Sequence, residues 1–280
     1  MAHNFAITLK VNRDPRPLCV LVKKEHISFV RDLDLIEFVI EYDEKEDYNV
    51  LTDHEKFCGM AKIDFHKKIP FDQYLMIDAD FLTAGPTQHV WNMLEKQNQA
   101  VVNFGTIDAP FWHWNYLPEI EKKTNLKLSY TCGDIVFFNK IHPSFDNFIA
   151  DVRDIFLNKY DEYGCRRMFG TKRSKTEEVA FAIAAAKEGY KPIEMHVFPI
   201  INYNPKIGQS YQQFMYPFEP IVDKNTLFPI IPPFVHLWDK YFGINYQRVF
   251  FEIITGMASQ NQQIFQQINE KNEMKNTTQL

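Results

Sequence analysis

The chain carries no excess of positive charge: 31 lysines and arginines stand against 36 aspartates and glutamates, a formal net charge of −5. Without a basic footprint nucleic acid is excluded as the expected partner, and an anionic substrate has to be met by local cations or a metal ion. Cysteine is sparse as well. Cys19, Cys58, Cys132 and Cys165 are scattered with no paired spacing, which argues against a zinc cluster or a disulfide scaffold and fits a reducing compartment. No stretch approaches the ~20 apolar residues of a membrane span, and the first residues lack the apolar core of a signal peptide. The expectation is a soluble cytoplasmic protein with no membrane span. Internal repeats and low-complexity linkers are missing too. What is present is apolar bulk: 45% hydrophobic residues, with 25 phenylalanines in a chain of 280, enough for one enzyme-sized core near the upper limit of a single domain.

The order of apolar runs and turns predicts an α/β fold with a mostly parallel central sheet flanked by helices. Residues 5–11 and 18–22 read as two short strands separated by Asn12-Arg13-Asp14-Pro15-Arg16-Pro17, whose prolines break any continuous helix. Residues 35–40 predict a further strand, and the acidic stretch 43–47 a solvated connection. Helices are expected over 54–66 and 87–97, on either side of the apolar run Tyr74-Leu75-Met76-Ile77.

Two acidic pairs carry the chemistry. Asp78-Ala79-Asp80 stands where that apolar run breaks into a loop. In an extended chain residues i and i+2 face the same way, so both carboxylates would approach one hard cation while Ala79 leaves space for a ligand. A solvated strand end uses the same residues, and the pattern alone leaves both readings open. Thr176-Glu177-Glu178 opens the apolar run Val179-Ala180-Phe181-Ala182-Ile183. Acids at a helix start are favoured by the helix dipole, so capping explains them as readily as a place beside a reaction centre. His236, after the proline-rich stretch 228–234, reads on its own as an ordinary imidazole.

The string Ala61-Lys62-Ile63 through Pro70-Phe71 into Tyr74-Leu75-Met76-Ile77-Asp78-Ala79-Asp80 resembles the core of GT-A glycosyltransferases, particularly the glycogenin-like and galactosyltransferase-like retaining group called family 8. Four further blocks follow in the family's order. Thr131-Cys132-Gly133-Asp134 resembles its Asn-Ser/Ala-Gly strand and Glu177-Glu178 its acidic-Gln pair; Phe198-Pro199 to Tyr203-Asn204 resembles its Leu-Pro…Tyr-Asn segment and Val235-His236-Leu237 its Val-His-Phe. Together the blocks span roughly residues 60–240. The resemblance implies a GT-A nucleotide-sugar-binding fold and metal-dependent transfer of a sugar, from a nucleotide sugar such as a UDP-sugar, to a hydroxyl on a glycan, protein or lipid. It implies a Mn2+ or Mg2+ site of Asp78, Asp80 and His236, mixed oxygen and nitrogen ligation suiting both ions. It further implies donor binding by Lys62, by the end of the first strand near Asn12 and by Lys240, with Glu177, Glu178 and Asp134 at the reacting sugar. The aromatic string Phe111-Trp112-His113-Trp114-Asn115-Tyr116 serves either core packing or stacking on a sugar face.

Departures from the family pattern are local. Glu178 stands where the family has Gln, and Glu-Glu before a helix and Gly189-Tyr190 also resembles the base motif of inverting GT-A enzymes, so retaining transfer is expected with inverting transfer as the alternative. Asp239 stands where Gly is usual, and Lys240 comes two residues early. A haloacid-dehalogenase-like phosphatase would want Thr or Val at Leu82 and its Asp-x-Asp near the N-terminus. A sugar nucleotidyltransferase would carry a basic glycine-rich loop within residues 5–22. A non-catalytic glycan-binding protein with this fold remains the other alternative. The catalytic domain is expected over 1–247. Beyond it, Phe250, Ile253, Ile254, Met257, Ile264, Phe265 and Ile268 recur at helical spacing, predicting over 248–280 an amphipathic helix and polar tail that docks on the domain or pairs two chains as a homodimer.

Overall fold

The computed structural model describes residues 2–31, 35–42, 48, 51–53, 55–83, 85–106, 111–112, 115–167, 174–194, 200–203, 221–222, 229–230 and 234–237. In chain order the elements begin with helix α1 (Ala2–Val11), strand β1 (Cys19–Lys23), the short helix α2 (Ile27–Arg31), β2 (Phe38–Tyr42) and α3 (Ala61–Asp64). Then come β3 (Gln73–Ile77), β4 (Phe81–Thr83), α4 (Gln88–Glu95), β5 (Val101–Thr106), β6 (Phe111–Trp112), β7 (Asn115–Tyr116) and α5 (Leu117–Thr124). The long strand β8 (Tyr130–Asn139), α6 (Phe145–Asp154), α7 (Glu177–Lys187), β9 (Ile193–Glu194), β10 (Ile200–Tyr203), β11 (Ile221–Val222), β12 (Pro229–Ile230) and β13 (Phe234–Leu237) complete them. The chain forms two compact units, one of Met1–Arg16, Ala79–Gln88 and Ile200–Leu280, the other of Pro17–Asp78 and His89–Pro199. The predicted C-terminal helix, residues 248–280, lies outside the described residues.

In the larger unit β8 is the central strand of the order β3-β8-β5-β9. Ten residues long and buried on both faces over most of its length, it runs antiparallel to β3 and β5, while β5 and β9 pair in parallel. A second parallel ladder joins β1 to β2. The α/β expectation holds, with parallel ladders around a strand that opposes both its neighbours. Helix α7 is buried from Glu177 to Ala185, as its unbroken apolar sequence requires. Its Phe181 meets Phe138 of β8 and Phe148 of α6 at ring distances of 6.1 and 6.0 Å, which ties sheet and helices into one core. The helix expected over 54–66 is a helical run of three pitches: a π-helical turn Glu55–Met60, α3, and a 3-10 turn Phe65–Lys67. It opens on a reciprocal capping box, the Glu55 amide donating to Thr52 Oγ1 at 3.2 Å and the Thr52 amide to Glu55 Oε2 at 2.8 Å.

The smaller unit corrects one expectation. Residues 5–11 form part of helix α1, not a strand. The period-two pattern of Phe5, Ile7, Leu9 and Val11 is outweighed by local bonding at the helix end. Arg13 adopts the left-handed conformation (φ 56°), with Asp14 N donating to Leu9 O and Arg13 N to Lys10 O, a Schellman closure followed by Pro15. Thr8 Oγ1 accepts from the Thr83 amide at 3.1 Å, and Asn12 donates to the Thr8 and Thr83 carbonyls, so α1 is pinned to β4 by buried polar contacts. Strand β4 in turn pairs antiparallel with β13, which pairs in parallel with β10.

Candidate active site

The site in the larger unit grows from an irregularity in β8. Along the β5 ladder Asn103 faces Val136 while the next residue, Phe104, faces Cys132, so Gly133, Asp134 and Ile135 have no partner on β5. A bulge of this kind re-aims backbone groups out of the ladder. The Gly133 amide donates to Glu178 Oε1 at 2.7 Å, and its carbonyl accepts from Lys62 Nζ at 3.1 Å. Only glycine fits here. A Cβ at 133 would stand 2.4 Å from Glu178 Cγ and 3.1 Å from Glu177 Oε1. On the other side of β8 the β3 ladder is carried one bond past its end by Asp78 N donating to Asp134 O at 2.9 Å, which sets Asp78 against the bulge.

Lys62, from α3, is the hub. Its ammonium lies 2.9 Å from Asp78 Oδ1 and 2.9 Å from Glu177 Oε1, with its side chain 14% exposed. Burial would pull its pKa down, but the Glu177 and Asp78 carboxylates together hold it well above the ordinary lysine value. Asp78 feels the opposite balance. Burial, against the pull of Lys62 and with the push of Asp134 and Glu177, raises its carboxyl to about 7. Its side chain is 32% exposed, the most open of the three, so solvent screens part of that strain.

Asp134 accepts from the Cys132 thiol at 3.3 Å. Among the described residues Cys132, Asp134 and Glu178 are the group whose potential metal-ligating atoms come within 4.8 Å of one another. Burial, and then the Asp134 and Glu178 charges, push the Cys132 thiol well above its usual range, so without a metal it is a neutral hydrogen-bond donor. As it stands this is a hydrogen-bonded acid cluster.

The larger unit thus brings Lys62, Asp78, Asp134, Glu177 and Glu178 together. Asp80 follows in the turn Ala79–Asp80, where the extended geometry that would align it with Asp78 has ended. In the smaller unit β13 sets His236 opposite Phe81, the residue after Asp80, and opposite Asn202 of β10; the side chain of His236 and the whole of Lys240 lie outside the described residues. The Asn12 amide is committed to two carbonyls. Of the aromatic string, β6 and β7 form a two-residue antiparallel ladder, and the side chains of residues 111–114 lie outside the described residues.

Sequence reasoning passed over the supports behind these residues, above all Glu55, Tyr160 and Lys175. The Thr52-x-x-Glu55 capping box was a readable signal for the first. The other two have none, because an isolated lysine or tyrosine carries no local mark of its burial.

No protein-family model matches the chain, and no curated protein matches it. Solved structures do. A galactosyltransferase, LgtC, in complex with donor and acceptor sugar analogs superposes with a TM-score of 0.52 at 12% identity, covering 91% of this chain and 92% of that one. An active-site mutant of LgtC gives 0.50 at 12% identity with the same coverage. Mouse xyloside xylosyltransferase 1 gives 0.48 at 10% identity, covering 84% and 91%. No helix among the described residues is long and apolar enough to cross a membrane. The likeness to LgtC shows the architecture: this chain has the α/β fold of the GT-A glycosyltransferases.

Proposed function

We propose that the protein is a glycosyltransferase that moves a sugar from a nucleotide sugar, a UDP-sugar foremost, to a hydroxyl acceptor with retention of anomeric configuration. The observation that carries this reading is the convergence of Lys62, Asp78, Glu177, Glu178 and the Gly133 backbone on one bulged strand of a GT-A fold. Glu177 is neutralised by Lys62, so Glu178, its carboxylate aimed by the Gly133 amide, is the acid set beside the anomeric carbon. Asp134 takes a hydroxyl of the donor sugar. Lys62 exchanges one of its carboxylate contacts for a donor oxygen, and its charge steadies the diphosphate as the glycosidic bond breaks.

Asp78, Asp80 and His236 would hold a divalent cation, Mn2+ or Mg2+, and the electrostatics of Asp78 fit one: a carboxyl raised to about 7 among like charges is relieved by a bound cation. When bound, such an ion supplies Lewis-acid neutralisation of the departing diphosphate. Glu178 in place of the family's Gln is the specific observation that favours inversion as a second reading, with Glu178 as general base.

The test is nucleoside diphosphate release from a panel of nucleotide sugars with Mn2+ present, followed by NMR of the product anomer. Release from one donor with its configuration kept supports the reading, and an inverted product transfers it to the second. Saturable donor binding without release would make the chain a non-catalytic sugar-binding protein.

A further inference from the structure

Behind the site lies a second buried polar cluster, centred on Lys175. Lys175, 7% exposed, stands two positions ahead of Glu177. Its ammonium meets no carboxylate oxygen at hydrogen-bond distance in the contacts described; it donates instead to the carbonyls of Phe156 at 2.8 Å and Leu157 at 3.3 Å. Both belong to the π-helical turn Ile155–Lys159 that ends α6, where the wider pitch turns carbonyls out of the regular ladder. The rings of Phe156 and Tyr160 lie under the charge, 5.7 and 5.6 Å from Nζ. Burial lowers the pKa of this lysine, so holding it here costs free energy that an apolar side chain would not.

That cost is met by what the residue joins. The Lys175 amide donates to Glu55 Oε1 at 2.9 Å, and Glu55, 2% exposed, caps the helical run that carries Lys62. Ser174 and Thr52 hydroxyls meet at 3.0 Å, and the Thr176 amide donates to Tyr160 Oη at 3.1 Å. The two π-helical turns press directly on each other: a Cβ at Gly59 would come 2.6 Å from Phe156 Cζ. The start of the Lys62 run, the end of α6 and the start of α7 therefore meet at Lys175.

We infer that Lys175 is a positioning residue of the active site: by joining Glu55 to the Phe156 and Leu157 carbonyls it fixes where α7 begins, and so the placement of Glu177 on Lys62 and of Glu178 on the Gly133 amide. Its catalytic consequence rests on the transferase reading above, while its geometric consequence does not. Two readouts on Lys175→Met separate them. The first is the Gly133 amide proton, shifted downfield in the 1H–15N spectrum by its bond to a carboxylate; the variant moves it upfield, toward its position in Glu178→Gln. The second is turnover: kcat falls roughly tenfold to a hundredfold with the donor KM within about twofold, the mark of a misaimed group rather than a lost contact.

Should Lys175→Met fail to fold, Tyr160→Phe removes the acceptor of the Thr176 amide, along with a longer bond from the hydroxyl to the Arg166 carbonyl at 3.3 Å, and carries the same two tests with smaller shifts. A folded variant with lower thermal stability but an unmoved Gly133 amide and unchanged kcat overturns the inference, since Lys175 is then ordinary scaffolding. If the wild type turns over no donor, the transferase reading fails by itself and the Gly133 amide still decides the geometry.

Discussion

The two acidic pairs of this chain look alike in sequence and are built in different ways. Glu177 and Glu178 sit at a helix start, where neighbouring residues diverge by about 100° around the axis, and each has a partner of its own: an ammonium for the first and a backbone amide for the second. Both are buried. Asp78 and Asp80 flank the point where a strand becomes a turn, Asp78 closing one compact unit and Asp80 belonging to the other. Asp78 is a third exposed and is held at a raised pKa. The glutamates are held by an ammonium and an amide, whereas Asp78 shares that same ammonium with Glu177 and still keeps a raised pKa. The difference teaches where a ligand has something to gain: at the strand exit.

Lys62→Met should break the contrast most severely, because it strips the cation from between buried Glu177 and half-buried Asp78. A loss of about 3 kcal/mol in urea unfolding is expected, and a wild-type midpoint would mean that the Lys62 contacts add nothing. Gly133→Ala comes next. The added methyl collides with Glu178 Cγ and pushes on the buried Glu177 and Glu178 side chains, so a stability loss of about 1–3 kcal/mol is expected, together with loss of turnover.

Asp78→Asn sharpens the other side. With its carboxyl raised to about 7, folded Asp78 keeps a proton that the unfolded chain gives up near the ordinary value of 3.8, so this group's stabilisation is complete below about 4 and is lost as pH rises through about 7. The variant should flatten that decline in a pH series of melting temperatures. Mn2+ should raise the wild-type melting temperature at pH 7.5 and leave the variant unmoved; equal shifts in both would place the ion elsewhere. The smallest effect is expected from Cys132→Ala, which removes a neutral thiol from the acid cluster. The Mn2+ shift should survive it, and its disappearance would transfer the metal from the Asp78 strand exit to Cys132, Asp134 and Glu178.

Much of this was legible from sequence where local pattern and packing agree. The apolar run after Glu178 is a buried helix, and Tyr74 to Ile77 lies within a strand that ends before Asp78. Gly133 was legible as part of a matched motif, but the reason for it, a helix-borne acid pressed against a bulge, is tertiary. Residues 5–11 misled because alternation on a short segment fits either element, while Asn12, Asp14 and Pro15 held the overlooked stop signal. Lys175 stayed hidden because a lysine in the polar stretch Ser174-Lys175-Thr176 reads as solvated, and the carbonyls that receive it lie on an element no nearby residue announces.

Strand β8 also bears on motion. Laddered on both edges over much of its length and covered by α7, it contains the amides that should exchange with solvent among the last in the larger unit, opening only with its global unfolding. The Gly133 amide leaves both ladders at the bulge but is tied to Glu178 of buried α7 at 2.7 Å. A ligand arriving at the bulge therefore meets a floor already frozen, and little of its binding energy need be spent in ordering the protein beneath it.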